Sequence, residues 1–198
     1  MTNDPSHSCF FLGALDDDAA VTGLYWFCHR VWPEISRRLP GARFAITGWN
    51  GADRVRDLGA IPGVIVVESI FDASTFIHHS PIAAFPYRQA CTVRDDVLHV
   101  LTMRKAVIAT PVVLEGLDVQ SGLHLRAVHT ASDWIAVVYH LMMHPEVCTE
   151  LGAAGRTFVE TNHPHAIRFR ATAPEPATER LPPIPQPKHT EKQVDKRV

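Results

Sequence analysis

PIAAFPYRQACTVRDDVLHVLTMRKAVIAT, residues 81–110, contains two apolar segments separated by a loop and a predicted helix. Residues 81–86 and 106–110 lack the polar alternation of a half-exposed strand, which is typical of strands covered on both faces. The helix between them provides the crossover that two neighbouring parallel strands require. This stretch therefore predicts a strand, a helix and a second strand within a parallel sheet.

The same alternation extends along the rest of the chain. Apolar runs predict strands at residues 9–13, 42–48 and 63–68, and a mixed run predicts an edge strand at 123–129. Apolar spacing and end signals predict helices over residues 14–41, 52–60, 71–80, 132–144 and 145–162. We therefore expect an α/β domain with a Rossmann-like parallel sheet and helices on both faces.

The two ends differ in composition from the centre. Residues 1–8 are polar and are predicted to be disordered, whereas residues 9–163 form the predicted domain. Six prolines lie between Pro174 and Pro187, and a charged run ends the chain. Such a segment buries too little apolar surface to offset the entropy of ordering it. We predict a disordered tail over residues 164–198, locally in the polyproline II conformation.

Composition excludes several classes of protein. The formal net charge of -2 gives no indication of a nucleic-acid partner. The four cysteines form no CxxC pair and the polar start has no secretory signal, so we predict reduced thiols and a cytoplasmic location. No apolar run reaches the roughly 20 residues of a membrane helix. Residues 16–18 are aspartates at a predicted helix start, which we interpret as capping residues rather than a metal site.

Ligands of open parallel sheets bind beyond the carboxyl ends of the strands. In this sequence those loops contain Trp49 and Asn50, residues 88–94, and Glu115 with Gly116. A helix beginning near Asp95 would direct its free N–H groups toward an anion bound there. The sequence therefore predicts an anion-binding site at this edge.

A set of short motifs connects these loops to a known family. The motifs are Trp26-Phe27, Pro33, Pro40, Ile46-Thr47-Gly48, Pro86-Tyr87-Arg88, Val97-Leu98, Met103, Ala109-Thr110-Pro111-Val112 and Glu115-Gly116-Leu117. In this order they resemble the C-terminal half of retaining family-4 glycosyltransferases of the GT-B fold, and in particular a bacterial branch associated with exopolysaccharide genes. The run from Pro86 to Leu117 matches that pattern without a gap.

The resemblance implies binding of a nucleotide-activated sugar and hexosyl transfer with retention, without a metal or another cofactor. It leaves the catalytic residues unidentified. The expected donor and phosphate ligands are Arg88, Arg94, Asp95, His99, Glu115 and Gly116. The expected contacts to the base are Trp49, Asn50 and Tyr87.

The sequence departs from the family pattern inside the expected phosphate site. Thr92-Val93 stand where the family has a Gly-Thr turn, and their side chains occupy space that a diphosphate would use. Asp96 replaces a lysine, and His99 replaces a glutamate that accepts sugar or ribose hydroxyls. The segment before Phe10 is too short for the family's N-terminal domain. We therefore expect weak or absent transfer by this chain alone.

Two hypotheses remain open from the sequence. The chain is either a nucleotide-sugar-binding half of a glycosyltransferase, or a non-catalytic interaction module or inactive paralogue. In the second case, a protein partner or a second copy is expected to cover the face that would otherwise contact the N-terminal domain. A flavodoxin-like receiver is disfavoured, because Thr110 is followed by proline where a receiver has lysine.

Overall fold

The computed structural model describes residues 7–67, 69–89 and 94–166. Their strands form a six-stranded sheet in the order β3-β2-β1-β4-β5-β6, and every pairing is parallel. The strands are β1 (Ser8–Ala14), β2 (Arg43–Trp49), β3 (Val64–Val66), β4 (Ile82–Phe85), β5 (Ala106–Ala109) and β6 (Arg126–Ala127). The predicted Rossmann-like sheet is therefore confirmed.

Six α-helices connect or follow these strands. They are α1 (Asp18–Arg30), α2 (Trp32–Arg38), α3 (Ile70–His79), α4 (Arg94–Thr102), α5 (Ala131–Met143) and α6 (Pro145–Asn162). Asp17 caps α1, because its side chain accepts a hydrogen bond from the N–H of Ala19 at 2.9 Å. Residues 164–166 form a further 3-10 turn. The predicted Thr92-Val93 obstruction, residues 1–6 of the predicted start and residues 167–198 of the predicted tail lie outside the described residues.

Three predicted elements differ in the structure. The single helix predicted over residues 14–41 is wrong, because Pro33 lacks an N–H and its ring opposes the carbonyl four residues before it. The chain divides at Val31 into α1 and α2. The helix predicted over 52–60 consists of two 3-10 segments, Ala52–Arg54 and Arg56–Ala60, because Val55 leaves helical geometry at φ -124°.

The predicted edge strand at 123–129 is also shorter than expected. The N–H groups of Leu123 and His124 both donate to the carbonyl of Gln120, so these residues close a turn instead of extending the strand. Only Arg126 and Ala127 pair with β5. Local hydrogen bonding therefore replaces sheet pairing over the first half of the predicted strand.

An aromatic cluster fixes α1, α2 and α5 against the sheet. The ring centroid of Phe27 lies 4.7 Å from that of Phe44 in β2 and 5.4 Å from that of Trp134 in α5. Trp32 packs on Phe44 at 5.6 Å, and its indole N–H donates to the Pro62 carbonyl at 2.9 Å. All four rings are fully buried, which makes this cluster a main source of hydrophobic stabilisation.

The order of the strands creates a crevice between β1 and β4. From β1 the chain proceeds to β2 and β3 on one side, and after α3 it returns to β4 and continues to β5 on the other. The carboxyl ends of strands at such a reversal point are separated by diverging loops, which is where open α/β sheets bind ligands. Within the described residues, no helix is long and apolar enough to cross a lipid bilayer.

Candidate nucleotide site

The segment after β4, residues 86–88, lies beside the crevice and is held from two sides. A Cβ on Gly23 of α1 would lie only 2.4 Å from the carbonyl oxygen of Pro86 and 3.1 Å from Cα of Tyr87. From the other side, the hydroxyl of Thr110, which directly follows β5, donates to the Tyr87 carbonyl at 2.6 Å. The backbone that presents Arg88 is therefore restrained by both α1 and the end of β5.

Tyr87, a predicted base contact, is buried beneath this edge. Its side chain is 1% exposed and its ring lies 5.9 Å from the ring of Phe11. Its hydroxyl oxygen is 3.1 Å from the position that a Cβ on Gly13 would take. The enclosed ring has no exposed face on which a base could stack. Tyr87 instead anchors the loop after β4 to the core of the sheet.

Arg88, a predicted phosphate ligand, is exposed at the same edge. The carbon of its guanidinium group lies 4.5 Å from the ring centroid of Trp26 in α1, which is a cation–π contact. Among residues 7–67, 69–89 and 94–166, no carboxylate forms an ion pair with Arg88. Its hydrogen-bonding edge therefore remains available to an anion.

Trp49 and Asn50, the other predicted base contacts, end β2 at this edge. Trp49 is 46% exposed, an unusual exposure for tryptophan. Asn50 has a left-handed backbone with φ 54°, and its amide donates to the carboxylate of Asp16 at 3.3 Å. This left-handed turn follows β2, and the Trp49 ring at the end of that strand remains exposed.

The start of α4 carries two of the predicted ligands, Arg94 and Asp95, followed by Asp96. Arg94 begins the helix, Asp95 is exposed and Asp96 is half-buried. Burial, and to a smaller extent the charge of Asp95, raises the pKa of Asp96 from 3.8 to about 6. Two acidic residues therefore lie in the first turn of α4, at the positive end of the helix dipole, which otherwise favours a bound anion.

His99 lies one turn further along α4, on the face that also carries Asp95. It is half-buried, and its carbonyl accepts a hydrogen bond from the hydroxyl of Thr102 at 2.6 Å. The helix around it is anchored by the buried residues Val97, Leu98, Val100 and Leu101. His99 is thus further from the helix start than Asp95, on a rigid part of the edge.

Glu115 and Gly116 form a tight turn after β5. The N–H of Leu117 donates to the carbonyl of Leu114 at 3.0 Å, and Gly116 has φ 76°. Glu115, with φ -56° and ψ 123°, has the geometry of the first central residue of a type II turn, which requires glycine at the next position. The turn leaves the Glu115 side chain exposed beyond β5.

Trp26 is the residue of this site that sequence reasoning overlooked. It was recognisable only as part of the Trp26-Phe27 motif, with no role assigned to its ring. The available signal was its spacing from Gly23, since residues three apart share a helix face. That face is the one in contact with residues 86–88.

Two further observations delimit the site. A cavity of about 500 Å³ lies between the 118–124 loop and α6, and none of the predicted donor or base ligands lines it. The described part of the chain contains no group of three or more His, Cys, Asp or Glu side chains arranged to hold a metal ion. The candidate site is the edge beyond β1, β4 and β5, where Arg88 and Glu115 are exposed.

Comparison with known sequences gives the family. The family described as Glycosyl transferases group 1 matches residues 6–144, which is well over half of the chain. This chain belongs to that family. No curated protein sequence matches it.

Solved structures place this group 1 glycosyl transferase chain within the GT-B architecture. The C-terminal domain of the group 1 protein LpcC from Francisella tularensis superposes with a TM-score of 0.61 at 12% identity, with 79% of this chain and 85% of that domain covered. S. aureus TarM, solved with UDP, gives 0.61 at 10% identity, with 83% and 34% covered. Anabaena HepE, solved with UDP and glucose, gives 0.55 at 9%, with 83% and 48% covered.

These coverages show what part of such enzymes the chain represents. It spans most of an isolated C-terminal domain but less than half of the TarM and HepE chains. At 9–12% identity the likeness establishes the fold alone. The predicted resemblance to the C-terminal half of GT-B glycosyltransferases is therefore confirmed at the level of family and fold.

Proposed function

We propose that this chain binds a nucleotide-activated sugar at the carboxyl edge of its sheet, as the donor-binding half of a glycosyl transferase. Family membership and the UDP present in the TarM and HepE structures support this substrate class. The observation that carries the proposal is Arg88. It is an exposed cation at the β1–β4 crevice that is stacked on Trp26 and forms no ion pair within the described residues.

In this proposal Arg88 stabilises the nucleoside diphosphate, which is the leaving group of glycosyl transfer. Its planar guanidinium can donate two parallel hydrogen bonds to phosphate oxygens. In the proposal, the positive end of the α4 dipole adds to the attraction for the diphosphate. Stabilising charge that develops on a leaving group is a large contribution to catalysis. Transfer with retention requires no metal here, and none is proposed.

The remaining predicted residues serve the sugar and the base. Glu115 projects from a rigid turn beyond β5, where a carboxylate can accept hydrogen bonds from sugar or ribose hydroxyls. The exposed ring of Trp49 offers a stacking surface for the base. His99 and Asn50 are proposed as further hydrogen-bonding groups.

The carboxylates at the start of α4 limit the expected affinity. Asp95 and Asp96 place negative charge where the diphosphate would lie, and this charge opposes that of Arg88. We therefore propose weak nucleotide binding at neutral pH and weak or absent transfer by this chain alone.

Calorimetric titration with UDP, GDP, UDP-glucose and the uncharged nucleoside uridine tests the proposal. We expect measurable heat from at least one diphosphate, with an affinity that falls as salt is raised because exposed charges are screened. Uridine is expected to bind more weakly and without this salt dependence. The absence of heat with every diphosphate at millimolar concentration would rule out the donor-binding function.

The acidic start of α4 favours a second candidate function, that of a non-catalytic interaction module. Asp95 and Asp96 lower the attraction for phosphate, whereas the fold that carries them is intact. A module of this kind is expected to dimerise or to bind another protein, and not to bind nucleotides. Sedimentation velocity together with the nucleotide titration separates the two functions: a nucleotide-binding monomer excludes the second, and a dimer that binds no nucleotide excludes the first.

A further inference from the structure

One face of α1 is shaped to approach the segment after β4. Gly23 has no side chain at the point where a Cβ would meet the Pro86 carbonyl at 2.4 Å, so the helix lies directly on that backbone. Trp26 follows three residues later and therefore lies on the same face. The absence of a side chain at Gly23 is what brings the Trp26 ring within reach of Arg88.

The guanidinium group of Arg88 lies over the face of the Trp26 ring. The guanidinium carbon lies 4.5 Å from the ring centroid, which is well within the range of a cation–π contact. Guanidinium carries five N–H donors, and contact with one ring leaves most of them unused. The contact therefore restricts the side chain while most of its hydrogen-bonding capacity remains available.

The Trp26 ring also packs against a residue of the core. It makes an edge contact with Trp134 of α5, with centroids 6.5 Å apart and an interplanar angle of 73°. Trp134 is fully buried in the aromatic cluster with Phe27. The chain of contacts thus runs from the core through Trp134 and Trp26 to an exposed arginine.

We propose that Trp26 is a positioning residue that holds the Arg88 guanidinium in the orientation in which its edge receives a phosphate. This inference rests on the proposed function, because it assigns the phosphate of the donor to Arg88. The physical gain is entropic: an exposed arginine samples many rotamers, and restricting them before binding removes part of that cost from the binding step.

A second arginine–aromatic contact in the chain provides a matched control. The guanidinium carbon of Arg38 lies 5.7 Å from the ring of Tyr139, and Arg38 also pairs with Glu34 at 2.7 Å. This arginine is already neutralised and lies on α2, outside the site. Removing the Tyr139 ring therefore reproduces the loss of an arginine–aromatic contact without affecting the proposed phosphate ligand.

The test is a calorimetric titration of the full chain with UDP for the wild type, Trp26→Leu, Trp26→Phe and Tyr139→Leu, and for Trp26→Leu in an Arg88→Lys background. We expect Trp26→Leu to weaken UDP binding about tenfold and Trp26→Phe about twofold, since phenylalanine retains a weaker π face. Tyr139→Leu is expected to leave the affinity unchanged. In the Arg88→Lys background, Trp26→Leu is expected to cost less than about twofold, because lysine has no planar group to stack.

Each outcome separates this inference from the function it rests on. If the wild type binds neither UDP nor GDP, the proposed function fails and the role of Trp26 fails with it. If the wild type binds UDP but Trp26→Leu has no effect, or has the same effect in the Arg88→Lys background, only the positioning role is wrong. Should Trp26→Leu not fold, Trp26→Phe decides the question through the rescue expected of a retained ring, and its melting temperature controls for structural damage.

Discussion

Two segments end neighbouring parts of the sheet at the same edge, and each carries an arginine, but they use it differently. In the β4 edge segment, residues 86–88, Arg88 stacks on an aromatic ring and forms no ion pair within the described residues. In the β2 edge segment, residues 49–54, the guanidinium of Arg54 donates to the Asp16 carbonyl at 2.7 Å and pairs with Asp18 at 2.5 Å. Arg88 is therefore available to a ligand, whereas Arg54 stabilises the fold through its contacts with Asp16 and Asp18.

This difference shows that the exposure of an arginine does not by itself indicate whether it is available to bind a ligand. Both arginines are exposed, and both follow a strand whose carboxyl end faces the crevice. Their partners distinguish them, since the N–H groups of Arg54 donate to a carboxylate and a carbonyl, whereas Arg88 lies over an aromatic ring and forms no ion pair within the described residues. Whether an exposed arginine is available to a ligand is therefore judged from its contacts as well as from its position.

The largest effect is expected from a change that separates α1 from the β4 edge segment. Gly23→Ala places a methyl group against the backbone of Pro86, which cannot move aside as a side chain would, and we expect a loss of about 3 kcal/mol in the free energy of unfolding. Urea denaturation measures it. Gly59→Ala is the matched control, because its Cβ would meet only Val66 Cγ2 at 3.7 Å, an ordinary contact. Equal stabilities for the two variants would contradict the close packing of α1.

The comparison of the two arginines is tested directly by removing each of them. We expect Arg88→Ala to weaken UDP binding by about 2 kcal/mol, the range of a hydrogen bond to a charged group, with little loss of stability. Arg54→Ala is expected to lower stability slightly, because exposed ion pairs contribute about 1 kcal/mol or less, and to leave the affinity for UDP unchanged. Titration and denaturation of both variants give the two readouts. An equal loss of UDP affinity in both would show that only general positive charge matters.

Much of this fold was predictable from the sequence, because the strands β1, β2, β4 and β5 are mostly apolar and alternate with helices. The sheet's parallel pairing follows from that alternation. Pro33 was the feature that the helix prediction underweighted, since a proline near the middle of a long apolar pattern divides it. The errors in the fold therefore lie where a local rule opposes the hydrophobic pattern.

The candidate site was predictable only as a set of loops. Its members follow from strand ends, but their partners depend on contacts between distant parts of the chain. Neither the burial of Tyr87 against Phe11 nor the stacking of Arg88 on Trp26 is visible in local spacing. Predicting these contacts requires the position of α1 over the sheet, which Gly23 determines through the absence of a side chain.

A smaller effect is expected from replacing Asp96, the half-buried acidic residue in the first turn of α4. Because the folded state raises the pKa of Asp96 from 3.8 to about 6, the native protein holds this proton more tightly than the unfolded chain. The resulting stability is present below about pH 4 and is lost as the pH rises through about 6. The full difference corresponds to about 3 kcal/mol. Solvent screening of a half-buried group and the favourable helix dipole reduce the expected value to about 1 to 2 kcal/mol.

Asp96→Asn removes this ionisation and is expected to stabilise the protein by that amount at pH 7.5 and hardly at all at pH 4. Denaturation curves at the two pH values measure the difference. The same variant is expected to bind UDP more tightly at pH 7.5, because one negative charge is removed from the start of α4. Asp95→Asn provides the exposed counterpart, with a smaller effect on stability. A stability gain that is the same at both pH values would contradict the ionisation of Asp96 as its cause.

The smallest effect compares two buried threonine hydroxyls that donate to backbone carbonyls. Thr110 fastens the β4 edge segment by donating to the Tyr87 carbonyl at 2.6 Å, whereas Thr47 joins β2 to β1 by donating to the Phe11 carbonyl at 2.5 Å. Each replacement by valine is expected to cost about 1 kcal/mol of stability, the usual net contribution of one hydrogen bond. Only Thr110→Val is expected to weaken UDP binding as well, by about twofold to threefold, because it loosens the backbone that presents Arg88. If Thr47→Val weakened UDP binding equally, the restraint would belong to the sheet as a whole and the distinction between the two edge segments would fail.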